Sequence, residues 1–132
     1  TTVFSQMLLD LIQTLPKVVS FVDGIEVMHK VGPIKGQPHM LNCVAAGTNP
    51  VALDTALMAA LELEHSKNPL LKLAKERKVA GSNLDELIFP MLKPDSFMDS
   101  GFQPPTTLKP ISFHPLKLIV SGVKRMVMRI KS

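Results

Sequence analysis

Two aspartates, two histidines and a glycine-spaced loop are the parts of this 132-residue chain whose types and spacing could do chemistry. Asp23 and Gly24 close the apolar run Val18-Val19-Ser20-Phe21-Val22, Gly32 and Gly36 punctuate the next stretch, and Asn49-Pro50 opens a helical pattern that contains Asp54. Strand ends of a parallel sheet gather on one side, and a helix N-terminus attracts anions. Asp23, Gly32, Gly36, Asn49 and Asp54 could therefore converge on a phosphate, a carboxylate or a metal-bound substrate. The competing reading is local: Asp23 caps a turn, the glycines satisfy backbone geometry, and Asp54 bonds to amides of the loop. The Gly-x-x-x-Gly spacing is not a phosphate-binding fingerprint, because no Gly-Lys-Ser/Thr follows it.

His29 and His39 flank the same loop and, with Asp23 or Glu26, have the donor types of a zinc or hard-metal site. The alternative is that they are solvated or capping histidines; His65 and His114 look peripheral. No Ser-His-Asp or Cys-His arrangement is supported by spacing. The single Cys43 lies within an apolar run, where burial would raise its pKa and make it a poor nucleophile. One cysteine also excludes an intrachain disulfide and any all-cysteine iron–sulfur site made by this chain alone.

These residues need elements to hold them. Phe4, Met7, Leu8, Leu11, Ile12 and Leu15 recur at helical spacing, which predicts an amphipathic helix over 3–15 ended by Pro16. Val18 to Val22 reads as a buried strand, Asp23-Gly24 as a turn, and 24–39 as a structured loop. Met40 to Ala46 reads as a second strand whose small residues allow close backbone approach. Asn49 suits the N-cap and Pro50 the first position of a helix running to Leu63, apolar almost all round and hence largely buried. Within it an ionised Asp54 would be costly without a partner. Asn68-Pro69 starts another helix, stopped by Gly81 after a cationic end. Leu84 and Leu87-Ile88-Phe89 suggest a third strand, which with the strand at 40 implies a right-handed parallel unit.

The expected fold is therefore α/β: a three- to four-stranded mixed sheet flanked by helices, with a right-handed β-α-β unit and a C-terminal amphipathic helix. Its core would occupy 1–92. Pro94, Pro104, Pro105 and Pro110 make 93–114 an extended segment, and 115–132 reads as a basic amphipathic helix in the same domain or a linker. That last helix could dock on its own sheet, contact a protein partner or second copy, or lie on a membrane surface.

Size and composition bound the rest. The length and 45% apolar content suit one ordinary domain. The net charge of +4 is uneven: residues 100–132 hold six basic and no acidic side chains, residues 1–99 nine basic and eleven acidic. The chain has no Trp or Tyr, so the basic tail lacks stacking groups and nucleic-acid binding is disfavoured. No apolar run reaches the ~20 residues of a spanning helix and no secretory leader opens the chain, so the default location is cytoplasmic. A start at Thr1, close to a helical pattern, suggests a processed product or fragment.

Taken together, Val22-Asp23-Gly24-Ile25, Met28, Gly32-Pro33, Gly36 and Pro50-Val51-Ala52-Leu53-Asp54 resemble the domain-of-unknown-function 362 family. Its members pair a D-G-I-x-x-M-E-G-N-G-P-x-x-G loop with a later D-P-V-A-x-D helix start. The resemblance covers roughly residues 3–90 and resembles the C-terminal half of the family domain. It implies no established reaction. In many members a ferredoxin-like segment follows a stretch similar to 104–131, so the resemblance implies a 4Fe-4S cofactor in a longer gene product and none within this chain. Two departures matter: His29-Lys30-Val31 replaces the family's Glu-Gly-Asn, and Asn49 replaces its aspartate. With a carboxylate lost there, the expectation is ligand binding rather than catalysis.

Overall fold

In the computed structural model, residues 2–32 and 36–105 are described; the expected C-terminal helix at 115–132 lies outside them. The element order is α1 (Thr2–Thr14), β1 (Ser20–His29), β2 (Gln37–Gly47), α2 (Pro50–Ala60) and α3 (Pro69–Glu76), with short 3₁₀ turns at His65–Lys67, Leu84–Glu86 and Pro94–Phe97. The class is mixed α/β. Among the described residues the sheet is one antiparallel pair of strands, not the expected mixed sheet of three or four.

The first correction concerns Asp23-Gly24, which lie within β1 and make no turn. Pairing runs from Ser20 opposite Gly47 to His29 opposite Gln37, with the register shifting between Gly24 and Glu26. Gly24 faces Cys43 and Glu26 faces Met40, so β2 carries the extra residue and Leu41 and Asn42 together oppose Ile25. Asn42 takes φ +54 there, a left-handed conformation that asparagine tolerates better than most residues. Asp23 Oδ1 accepts from Ile25 N at 3.0 Å across the same kink. A Cβ on Gly24 would stand 3.1 Å from the Cys43 carbonyl oxygen, so the glycine permits close strand approach. The Asp-Gly signal thus belongs to a bulge, and the expected 24–39 loop shrinks to the short connection between His29 and Gln37.

The second correction concerns the third strand. Leu84–Glu86 form a 3₁₀ turn capped by Asn83, and Leu87 to Phe89 continue as unpaired chain, so no right-handed parallel unit forms among the described residues. An apolar run becomes a strand only when a neighbouring strand accepts its backbone hydrogen bonds. Here the segment instead walls a cavity beside α2, leaving Ile88 89% and Met91 91% exposed.

The helices follow their sequence signals closely. Asn49 and Asn68 cap α2 and α3, each accepting two backbone N–H bonds ahead of a first-turn proline. α3 ends before Gly81, with Lys78 already left-handed at φ +52. The core joins Leu9 of α1, Val51 of α2 and Leu71 and Ala74 of α3, with Met58, Leu70, Leu73 and Val79 around it. Arg77 Nη1 reaches Asp10 Oδ1 at 2.9 Å on the surface of the α1–α3 contact, a pair worth at most ~1 kcal/mol. Packing therefore decides this interface. Leu9→Ala, which empties a fully buried position, should cost ~2–5 kcal/mol in urea unfolding. Leu11→Ala, on the exposed side of the same helix, should stay within ~0.5 kcal/mol.

Candidate functional site

Of the five residues expected to converge on a ligand, one lines the cavity beside α2. Asn49 borders it; Asp23, Gly32, Gly36 and Asp54 do not. Asp23 is exposed and pairs with the likewise exposed Val44, on the sheet face turned away from the cavity. Gly32 and Gly36 sit in the hairpin connection: a Cβ at Gly32 would meet open space, whereas one at Gly36 would run into Met28 and Val31. Gly36 is thus required by packing.

The start of α2 is already occupied by the protein itself. Asn49 Oδ1 accepts from Val51 N at 2.9 Å and Ala52 N at 3.1 Å. Its Nδ2 donates to the Ala80 carbonyl at 2.8 Å. Gly81, at φ +91, comes so close that a Cβ would lie 2.7 Å from Ala52 N and 2.8 Å from Asn49 Nδ2. A carboxamide and a glycine turn therefore stand at the helix end, where an anion was expected.

Beside that clamp lies a cavity of about 550 Å3, within the range of small-ligand sites. Three elements build it. The end of β2 contributes Cys43 and Ala45 to Gly47, α2 contributes Ala52, Leu53, Ala56, Leu57 and Ala60, and the irregular chain from Leu87 to Phe97 closes the far side. Small residues on β2 and α2 leave the space open. Its polar side chains are few: Thr48, Asn49 and Lys93. Cys43, a buried lining residue with its thiol pKa raised by burial, is suited to packing, in keeping with its sequence reading. Leu87 to Phe97 as a wall was not anticipated; its strand-like apolar run was the signal, read for the wrong partner.

Asp54 resolves differently from expectation. α2 exposes Asp54 and buries or half-buries its other residues, so the carboxylate reaches water and needs no buried partner. Its apolar surroundings still raise its pKa from the usual aspartate value by desolvation. The two histidines do come together at the opposite end of the hairpin from the cavity, with ring centroids 4.6 Å apart. Asp23 and Glu26 are exposed and do not join them, and among the described residues no group of three or more His, Cys, Asp or Glu is placed to hold a metal.

A small α/β unit with an apolar cavity at the start of a buried helix is the class of protein these features define. The family model described as "Domain of unknown function (DUF362)" matches residues 1–59. Over 126 residues the chain is 28% identical to a "thylakoid-associated protein" of Synechocystis sp., covering 96% of this chain and 39% of that protein. The chain thus spans about two fifths of the length of the curated relative it matches. No solved structure matches it. Among the described residues no helix is long and apolar enough to cross a membrane.

The raised Asp54 pKa gives a signed prediction. A carboxyl whose folded pKa exceeds its unfolded one destabilises the fold where it is ionised, and this penalty disappears once pH falls below the unfolded value of ~3.9. Asp54→Asn should therefore make the protein slightly more stable at pH 7, and the gain should vanish below about pH 3.9 in chemical unfolding followed across pH.

Proposed function

We propose that this chain is a ligand-binding portion of a protein of the domain-of-unknown-function 362 type, taking a small organic acid with an apolar body in the cavity beside α2. The cavity carries the reading: its walls are mainly aliphatic, and its one charged lining residue is the cation Lys93. The N-terminal end of α2, with its partial positive charge, borders the cavity through Asn49. Asn49 is retained from the sequence-derived site; Asp23, Gly32, Gly36 and Asp54 support the scaffold in this reading. The chemistry is recognition, since the lining offers no paired acid and base.

Naphthalene-2-sulfonate and uncharged 2-naphthalenemethanol test this as probes of body and charge, with binding followed by heteronuclear NMR. Both should shift Ala45, Ala52, Ala56 and Leu57. Ala56→Phe, which fills the space, should weaken both at least ~10-fold, equivalent to ~1.4 kcal/mol. Lys93→Gln should weaken the sulfonate and spare the alcohol. Binding that survives Ala56→Phe unchanged would overturn the proposal.

A second reading rests on a separate observation. Phe21 is 75% and Val44 66% exposed, and Met28 and Met40 are exposed on the same hairpin; α1 and the residue after it add an exposed stripe of Phe4, Met7, Leu11 and Leu15. Apolar area on this scale marks a contact surface. The proposed occupant is further sequence of the same gene product, corresponding to the part of the Synechocystis relative outside the match; residues 115–132 are a second proposed contact, for a partner or another copy. Any 4Fe-4S cluster would likewise draw its cysteines from such sequence, because this chain has one. Carbene footprinting of the full reading-frame product against the 132-residue chain checks the contact. Phe21 and Val44 should be protected only in the longer product, and equal labelling in both would exclude it. The relative's thylakoid association sets a membrane-proximal location beside the cytoplasmic default, and cell fractionation distinguishes the two.

A further inference from the structure

The far end of the hairpin carries a second constellation, independent of the cavity. His29 closes β1 opposite Gln37, and His39 pairs with Val27, so the two histidines are diagonal cross-strand neighbours. Diagonal positions on one face are within reach of each other, and here the rings stack at 4.6 Å with an interplanar angle of 26°. Phe102 packs against both, at 6.4 Å from His29 and 6.3 Å from His39. Its segment is pinned there by the bond from Lys30 N to the Gln103 carbonyl at 2.7 Å.

This small cluster leaves polar atoms unspent. His29 is 8% exposed, and its Nδ1, like Nε2 of His39, is buried with no hydrogen-bond partner. A buried polar atom left unpaired is costly, and both such nitrogens belong to the stacked pair. Imidazole nitrogens in that condition are ready donors to a borderline transition-metal cation, which prefers them to carboxylate or carbonyl oxygen. The Lys30 ammonium is engaged by Gln37 Oε1 at 3.1 Å.

We propose that His29 and His39, turning out of their stack, form a two-imidazole site for a divalent transition-metal cation of the Cu2+, Ni2+ or Zn2+ class beside Phe102. The protein supplies two donors, and water or a further ligand completes the coordination. Affinity should follow the order of imidazole preference, with Cu2+ tightest and Mg2+ and Ca2+ not bound.

Titration of the full chain with Cu2+, Ni2+, Zn2+ and Mg2+, each as the metal alone, tests this by calorimetry, with electron paramagnetic resonance of the Cu2+ form. One Cu2+ per chain with hyperfine coupling from two imidazole nitrogens is expected. His29→Phe and His39→Phe keep the stacked apolar shape, and each should weaken Cu2+ and Zn2+ at least ~10-fold while circular dichroism stays native. His65→Ala and His114→Ala should leave binding unchanged. Absence of Cu2+ binding, or binding that persists in the His29→Phe/His39→Phe double variant, would overturn the proposal and leave the orphaned nitrogens to buried water.

Discussion

The fold turns on the Asn49 side chain. One carboxamide accepts two backbone N–H bonds at the start of α2 and donates one bond to the Ala80 carbonyl, 31 positions along the chain. It therefore ties the end of β2, the first turn of α2 and the loop after α3 to a single point. Gly81 makes the tie possible, since its positive φ and missing Cβ let that loop lie against Ala52. An aspartate could accept the same two N–H bonds but has no N–H for Ala80. An asparagine at this position thus has a local physical reason: the amide is used as a donor as well as a cap.

That clamp also decides what kind of site can form next to it. A helix start binds an anion through its free N–H groups and its partial charge together. At α2 the first of these is spent on Asn49, and only the field remains to act on a ligand beyond the cap. A direct phosphate cradle is thereby disfavoured, and the space left by Ala45, Ala52 and Ala56 becomes the more specific feature. In the proposed reading, recognition would be mainly a matter of apolar fit, with the Lys93 charge selecting among similar shapes.

Much of this was legible along the chain, and the losses have identifiable causes. The caps were readable because Asn-Pro ahead of an apolar pattern acts over three residues, as did α1 up to its proline. The site was not, because it depends on which strands pair. Asp23-Gly24 carries the chemistry of a turn, yet at a bulge the same two residues supply a short side-chain bond and a close backbone approach. Leu87 to Phe89 has the composition of a strand but no strand beside it, a fact of tertiary partnership that no local pattern contains. The histidine pair shows the converse: ten positions apart, His29 and His39 meet only because the connection between them is a hairpin.

The distribution of apolar side chains finally bears on what the chain does with its partners. Among the described residues eight apolar side chains are buried, while sixteen large ones are exposed. A two-stranded sheet is marginal unless helices or further strands cover it. Here β2 meets α2, while Phe21, Met28, Met40 and Val44 of the hairpin are exposed to water. Covering them would return roughly 25 cal/mol for each Å2 of apolar surface removed from solvent. The same contact would stiffen β2, and with it the cavity wall formed by Ala45 to Gly47. In the proposed reading, partner docking and ligand binding would use opposite sides of one strand, and the register set by the bulge at Asn42 would determine which side chains serve each.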